Sequence, residues 1–281
     1  MTDQRTTLRA LLNGEPFIAG DCISAMSARI LEHVGFSAAY IGGHATGMTH
    51  YAIPDFGVLT PSEMIEQSGR VARAIAIPLI ADADTLGESV ADVHRFVRGY
   101  EQAGVAGIHL EDEQNPKHTA FDGPLIPIAD MQARIATATQ ARQSPDFIII
   151  ARSDELYVER GGGTGSVDEA ITRGNAYAEA GADVFLPTFA SEEALARIAA
   201  EVPIPVASYG RLVPGVQLSL RTGFSASSAA RAQLQWATTL LATGDLPDEA
   251  FGFPLVNELT DYAEYDEVVA GWARRTAQPL R

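Results

Sequence analysis

Apolar residues in this chain recur in two rhythms. Short runs rich in valine, isoleucine, alanine and phenylalanine alternate with longer stretches at helical spacing, and a polar or glycine-containing loop joins each to the next. The runs predict strands near 16–20, 37–42, 77–82, 105–111, 146–151, 183–187, 204–207 and 215–220. Several are apolar almost throughout, Phe147-Ile148-Ile149-Ile150-Ala151 being one. That pattern suits parallel strands covered on both faces.

The stretches between the strands carry helix-end chemistry. Thr60-Pro61-Ser62-Glu63 offers an N-cap threonine, a proline in the first turn and a glutamate to close a capping box, and Ser166 with Glu169 repeats the Ser-x-x-Glu form. Gly35, Gly104 and Gly181 each stand between a helical stretch and the next strand, where a left-handed cap is needed. Eight strands alternating with helices predict an α/β chain folded as a (β/α)8 barrel, with a doubly wound open sheet as the alternative. No Pro/Ser-rich linker divides the chain, so residues 1–281 read as one barrel domain with 225–281 as a helical C-terminal extension. That extension exceeds what a last barrel helix needs, so it is expected to pack on a partner subunit.

Composition narrows the function. Twenty basic residues against 36 acidic ones give a formal charge of −16, which disfavours nucleic acid and anionic membrane surfaces as partners. An anionic substrate would have to be held by a local arginine or a metal. Cys22 is the single cysteine, so no internal disulfide forms and a reducing, cytoplasmic setting is expected. The first residues lack the apolar core of a signal peptide, and no run is long enough for a membrane span.

In a (β/α)8 barrel, chemistry gathers at the C-terminal strand ends. Asp82 and Asp84 end the third strand and project to the same side if strand geometry continues. Such a pair suits an oxygen-ligated Mg2+ or Mn2+, or else a solvated capping loop. Glu111 ends the fourth strand on the same face as His109, while Asp112 and Glu113 read as solvated or helix-capping. Asp55 lies in the loop 51–60, as a site residue or a turn residue. Gly42 and Gly43, after Tyr40 and before His44, could let backbone N–H groups approach a carboxylate. Arg152 is a candidate carboxylate clamp, or the ion-pair partner of Asp154 or Glu155. The long loop 114–124 reads as a lid with Lys117, His118 and Thr119 as its chemical groups. Gly161-Gly162-Gly163-Thr164-Gly165 lacks a P-loop ending and reads as a flexible lead into the helix capped by Ser166.

The motifs YIGGH at 40–44, PDFG at 54–57, DAD at 82–84, GVAGIHLED at 104–112, PK at 116–117 and ARSD at 151–154, in this order, resemble the isocitrate lyase/phosphoenolpyruvate mutase superfamily. The resemblance covers about residues 5 to 275. It implies a barrel whose C-terminal helix exchanges with a neighbour in a homotetramer built as a dimer of dimers. It further implies Mg2+ or Mn2+ held near Asp55, Asp82, Asp84 and Glu111, with Asp82 the direct ligand. Tyr40, Gly42, Gly43, His44 and Arg152 match positions that bind the carboxylates of a small-molecule substrate.

The chain departs from the lyase form of that pattern. Lys117-His118-Thr119 stands where lyases of isocitrate and methylisocitrate carry a lid cysteine as proton carrier, and Thr188, expected among the substrate-binding residues, stands where they carry a glutamate. A threonine hydroxyl is too weak an acid to replace that thiol, so Lys117, His118 or water would supply the proton. The Pro-Lys-x-Thr form resembles phosphonopyruvate hydrolase, whereas Arg152-Ser153-Asp154 is nearer the lyases. The expected function is therefore a Mg2+-dependent C–C lyase of 2-hydroxy or 2-oxo di- or tricarboxylates, working through a stabilised enolate. Phosphonopyruvate hydrolysis, oxaloacetate decarboxylation or hydrolysis, and an inactive ligand-binding relative are the alternatives.

Overall fold

Eight parallel strands close into a barrel in the order of the chain: β1 (Phe17–Asp21), β2 (Ala38–Ile41), β3 (Leu79–Asp82), β4 (Gly107–Glu111), β5 (Ile148–Ser153), β6 (Val184–Pro187), β7 (Val206–Ser208) and β8 (Val216–Arg221), with β8 pairing back onto β1. The computed structural model describes residues 3–119, 123–159, 162–246 and 253–276. Closure of the sheet excludes the doubly wound alternative. Each expected strand is present, displaced at its ends by a residue or two.

Helices α1 (Gln4–Leu12), α2 (Ala25–His33), α3 (Gly43–Thr46), α4 (Pro61–Ala72), α5 (Val90–Gln102), α6 (Ile128–Ala141), α7 (Val167–Glu179) and α8 (Glu192–Glu201) belong to the barrel unit, and one π-helical turn covers Gly47–Tyr51. The expected start signals form: Thr60 and Glu63 make a capping box on α4, and the Ser166 side chain accepts the Glu169 amide at α7. Gly35, Gly104 and Gly181 sit at φ 93°, 94° and 101°, the left-handed region that glycine enters without a Cβ penalty.

Side-chain alternation sorts the core into two layers. Ile149, Ala151, Ile108, Leu110 and Ala81 point outward and pack with helix residues such as Val93, Val97 and Ile135. Phe17, Ala19, Ala38, Ile80, Ile148, Ile150, Val184, Leu186, Leu218 and Leu220 point inward and fill the barrel, joined by Leu8 and Leu12 of α1. The amphipathic α1, which begins at the N-cap Asp3, thus contributes to the interior cluster, a role that the polar first residues of the sequence did not suggest.

Contacts divide the chain into two compact units, residues 1–226 and 227–281. Helix α9 (Phe224–Thr243) starts within the first and continues into the second, which also holds α10 (Phe253–Leu259) and α11 (Tyr262–Thr276), packed on one another. Within this second unit Leu234, Leu241, Val268, Val269 and Trp272 are exposed. Among the described residues no helix is long and apolar enough to cross a membrane.

Candidate functional site

The inward-facing row continues past the apolar layer, and there its character changes. One step beyond Ala19, Ile80 and Ile150 the same parity delivers Asp21, Asp82 and Arg152, and on β4 it delivers His109 and then Glu111. Strand register sets these side by side: Asp82 pairs with His109, and Glu111 with Arg152. A cavity of about 540 Å³ opens above them, its lining including Asp21, Tyr40, Gly42, His44, Asp55, Asp82, His118, Arg152, Tyr157, Phe189 and Tyr209.

Asp82 is held from two directions. Its Oδ2 accepts the Gly43 amide at 2.8 Å and its Oδ1 accepts the Asp84 amide at 3.0 Å. A Cβ at position 43 would stand 3.1 Å from Oδ2, so glycine permits the close approach. Asp84 does not continue the strand: its φ of 47° turns the backbone, and its carboxylate reaches the cluster through an ion pair with Lys117 instead. Lys117 Nζ also donates to Glu111 Oε1 at 2.7 Å and lies 3.7 Å from Asp55. Arg152 bridges Glu111 at 2.6 Å, Asp154 at 2.8 Å and Glu113 at 3.4 Å.

Two histidines flank this cluster. His109 lies one layer down, with Nε2 2.9 Å from the Tyr40 hydroxyl and Nδ1 3.6 Å from Asp82, and burial holds its pKa below the ordinary value. His118, at φ 58°, sits with Nδ1 3.4 Å from Asp55 and Nε2 3.4 Å from Glu113. Burial opposes its charging, yet the two carboxylates prevail and push its pKa up to about 10.

The carboxylates respond in opposite directions. Burial raises the Asp82 pKa, but the His109 imidazole and the charges of Lys117 and Arg152 outweigh it and keep the group ionised. Asp84 is pushed up to about 7 by burial and by repulsion from Asp82 and Glu111, with Lys117 opposing. Glu113 is likewise pushed up to about 7 by burial, Glu111 and Asp154.

The residues expected from the sequence largely converge. Asp55, Asp82, Asp84, Glu111, Lys117, His118 and Arg152 form one network, and Tyr40, Gly42 and His44 line the cavity above it. Other expectations need correction. The Gly43 amide is spent on Asp82 rather than presented to a ligand. Thr188 is buried, bonds to Asp154 Oδ1 at 2.7 Å and does not line the cavity. The Thr119 hydroxyl turns back to the Pro116 carbonyl at 2.9 Å. Asp112 and Glu113 are buried rather than solvated, because Arg173 and Tyr177 of α7 cover Asp112 while His118 and Arg152 cover Glu113. Residues 120–122 of the expected lid and Gly161 of the glycine-rich lead lie outside the described residues.

Asp21, Tyr157, Phe189, Tyr209 and Thr222 were not foreseen as cavity residues. Counting parity along the first, seventh and eighth strands would have found Asp21, Tyr209 and Thr222. Tyr157 and Phe189 lie in loops, where no periodicity marks them.

The donor set suits a hard divalent cation. All four expected ligands are carboxylates, as magnesium or manganese prefers. Ligand atoms of Asp82, His109 and Glu111 lie within 4.8 Å of one another. Among the described residues Asp55, Asp82, Asp84, Glu111, Glu113 and Asp154 share Lys117, Arg152, His118 and His109 as their basic neighbours, and the upward shifts of Asp84 and Glu113 come first from burial, with repulsion between the carboxylates adding to it.

Fold and site together define a (β/α)8 protein with a carboxylate-rich, metal-competent pocket at the C-terminal ends of its strands. A family profile described as phosphoenolpyruvate phosphomutase matches residues 8–239, and the chain belongs to this family, within the PEP mutase/isocitrate lyase superfamily. It is 37% identical over 200 residues to 2,3-dimethylmalate lyase of Eubacterium barkeri, covering 70% of this chain and 67% of that one. To isocitrate lyase of Haloferax volcanii it is 37% identical over 183 residues, 64% of this chain and 52% of the relative. The chain thus spans between about half and two thirds of these curated relatives. The crystal structure of phosphonopyruvate hydrolase in complex with oxalate and Mg2+ superimposes with a TM-score of 0.83 at 29% identity, covering 96% of this chain and 99% of that one.

Proposed function

We propose that this protein is a Mg2+- or Mn2+-dependent C–C lyase that cleaves a 2-hydroxy or 2-oxo carboxylate through an enolate. The observation that carries the reading is the ionised Asp82, fixed by two backbone amides at the edge of the cavity and surrounded by Asp55, Asp84 and Glu111. These four residues would hold the cation, which supplies positive charge to offset an enolate oxygen. Arg152, permanently charged and on the cavity wall, would orient the substrate carboxylate, with Tyr40, Gly42 and His44 beside it.

For the proton that a cleaved enolate must take up, His118 fits better than Lys117. Lys117 is buried and committed to Asp84 and Glu111, whereas His118 lines the cavity and holds its proton at neutral pH. Thr119 and Thr188 fill no catalytic role in this reading. The exposed leucine, valine and tryptophan side chains of residues 227–281 support assembly with further copies of the chain as a homotetramer with exchanged C-terminal helices, the extension being an appendage of a single barrel domain.

A hydrolase or decarboxylase acting on phosphonopyruvate or oxaloacetate is the second reading, favoured by a threonine where the lyases carry the lid cysteine. Incubation with Mg2+ and a panel of alkylmalates, methylisocitrate, oxaloacetate and phosphonopyruvate separates the two by product. Two carbon fragments from a malate derivative support the lyase; free phosphate from phosphonopyruvate at a useful rate overturns it. Complete inertness with metal-dependent protection against heating would identify a binding protein instead.

A further inference from the structure

The cavity lining is of two kinds: Asp21, Asp82 and Arg152 come from strand ends, whereas Pro54, Phe56, Tyr157 and Phe189 come from loops and are apolar or aromatic. Phe189 is 64% exposed, sits at φ 54°, a region costly for a bulky residue, and lies against Tyr157 with ring centroids 4.3 Å apart. Tyr157 in turn meets the His118 ring edge-on at 5.6 Å. An aromatic wall held this way in a cavity with charged strand ends is a feature to be explained by what it contacts.

Charge points the same way. Among the described lining residues Arg152 is the one permanent cation, and it already faces Glu111, Glu113 and Asp154. His118 is engaged by Asp55 and Glu113. Asp21 lies buried in the cavity wall, its Oδ2 accepting the Ser225 amide, and adds to the acidic side of this balance. A second carboxylate of a substrate set against the Phe56, Tyr157 and Phe189 rings would meet apolar ring surface beside a His118 already engaged by two carboxylates, and would lose its hydration without compensation.

We infer that the substrate's substituent remote from Asp82 is uncharged and apolar, an alkyl or aryl group, and that Phe56, Tyr157 and Phe189 select it. The inference rests on the 2-oxo or 2-hydroxy acid chemistry proposed above and narrows it away from tricarboxylates.

Calorimetric titration of the Mg2+-loaded protein tests it with three probes: oxalate, which has no remote substituent, phenylpyruvate, and 2-oxoglutarate, which ends in a carboxylate. Phenylpyruvate should bind about tenfold or more tighter than 2-oxoglutarate, and Phe189→Ala should reduce that preference by about fivefold. Phe189 is exposed, so an unchanged melting temperature will show that the variant folds. Oxalate binding together with 2-oxoglutarate binding as tightly as phenylpyruvate overturns the inference alone. A preference that survives both Phe189→Ala and Tyr157→Ala removes the aromatic wall as its cause. Failure of oxalate to bind brings down the functional proposal itself, and this inference with it.

Discussion

The lower and upper halves of the barrel interior are made by the same strands with the same alternation, yet they are held together by different physics. Below, Phe17, Ala38, Ile80, Ile148, Ile150, Val184 and Leu218 pack with Leu8 and Leu12 of α1 in one apolar cluster. Above, one inward step along, Asp82, Glu111 and Arg152 are nearly as inaccessible but are satisfied by ion pairs and backbone amides. Packing leaves the lower layer with no remaining demand. The upper layer keeps a surplus of carboxylates, and that surplus distinguishes a binding site from a core.

The difference can be broken most sharply at Asp82. Asp82→Asn preserves shape and one backbone acceptor while removing the ionised group, so turnover should fall on the order of 10³-fold or more and Mg2+ affinity should drop strongly. Melting should fall as well, because the neutral amide forgoes the charges that keep Asp82 ionised and leaves one of the Gly43 and Asp84 amides without its acceptor, so Mg2+ affinity is compared at a temperature where both proteins are folded. Full activity in that variant, or in excess EDTA, would remove the metal site from the account. The counterpart below is Ile150→Ala. It should cost about 2–5 kcal/mol in denaturant unfolding through the cavity it leaves, with Mg2+ affinity unchanged wherever the protein is folded. A loss of metal binding there would show that the two layers are not separable.

Lid chemistry gives an intermediate effect. His118→Gln should lower kcat by about 10²-fold if the ring supplies the proton. Thr119→Ala and Thr119→Ser should differ little from each other, because the hydroxyl is turned to the Pro116 carbonyl and not to the cavity. A steep loss in Thr119→Ala restored by serine would instead mean that the hydroxyl places water or substrate, and would move the protein towards the hydrolase reading.

The same contrast explains what the sequence disclosed. Strand positions were legible because apolar runs and glycine caps are local signals, as the left-handed Gly35, Gly104 and Gly181 bear out. Asp82, Glu111 and Arg152 were legible because polar residues at the ends of apolar strands are conspicuous. Asp112 and Glu113 were misread because an acidic run looks solvated until distant partners are placed: Arg173 and Tyr177, 61 and 65 residues further on, bury Asp112. Tyr157 and Phe189 could not be read, since closure of the barrel, and no short-range pattern, brings their loops over one cavity.

Asp21 tests the boundary between the two halves. It is the first polar residue above Phe17 and Ala19 on β1, and burial pushes its pKa from 3.8 up to about 6 despite the Ser225 and Gly223 amides. A carboxyl whose folded pKa is raised favours the folded state fully below about pH 4, and that contribution is lost as pH rises through 6. The shift corresponds to at most about 3 kcal/mol. Asparagine at this position does not titrate, so the melting temperature of Asp21→Asn relative to the parent should rise between pH 4 and pH 8, by roughly several degrees at most. Other titrating groups are common to both proteins and cancel in the difference. A flat difference would mean that Asp21 ionises like a solvated carboxylate and that the charged layer already begins on β1. A rising one places its lower edge between Asp21 and Asp82, where cationic partners first appear.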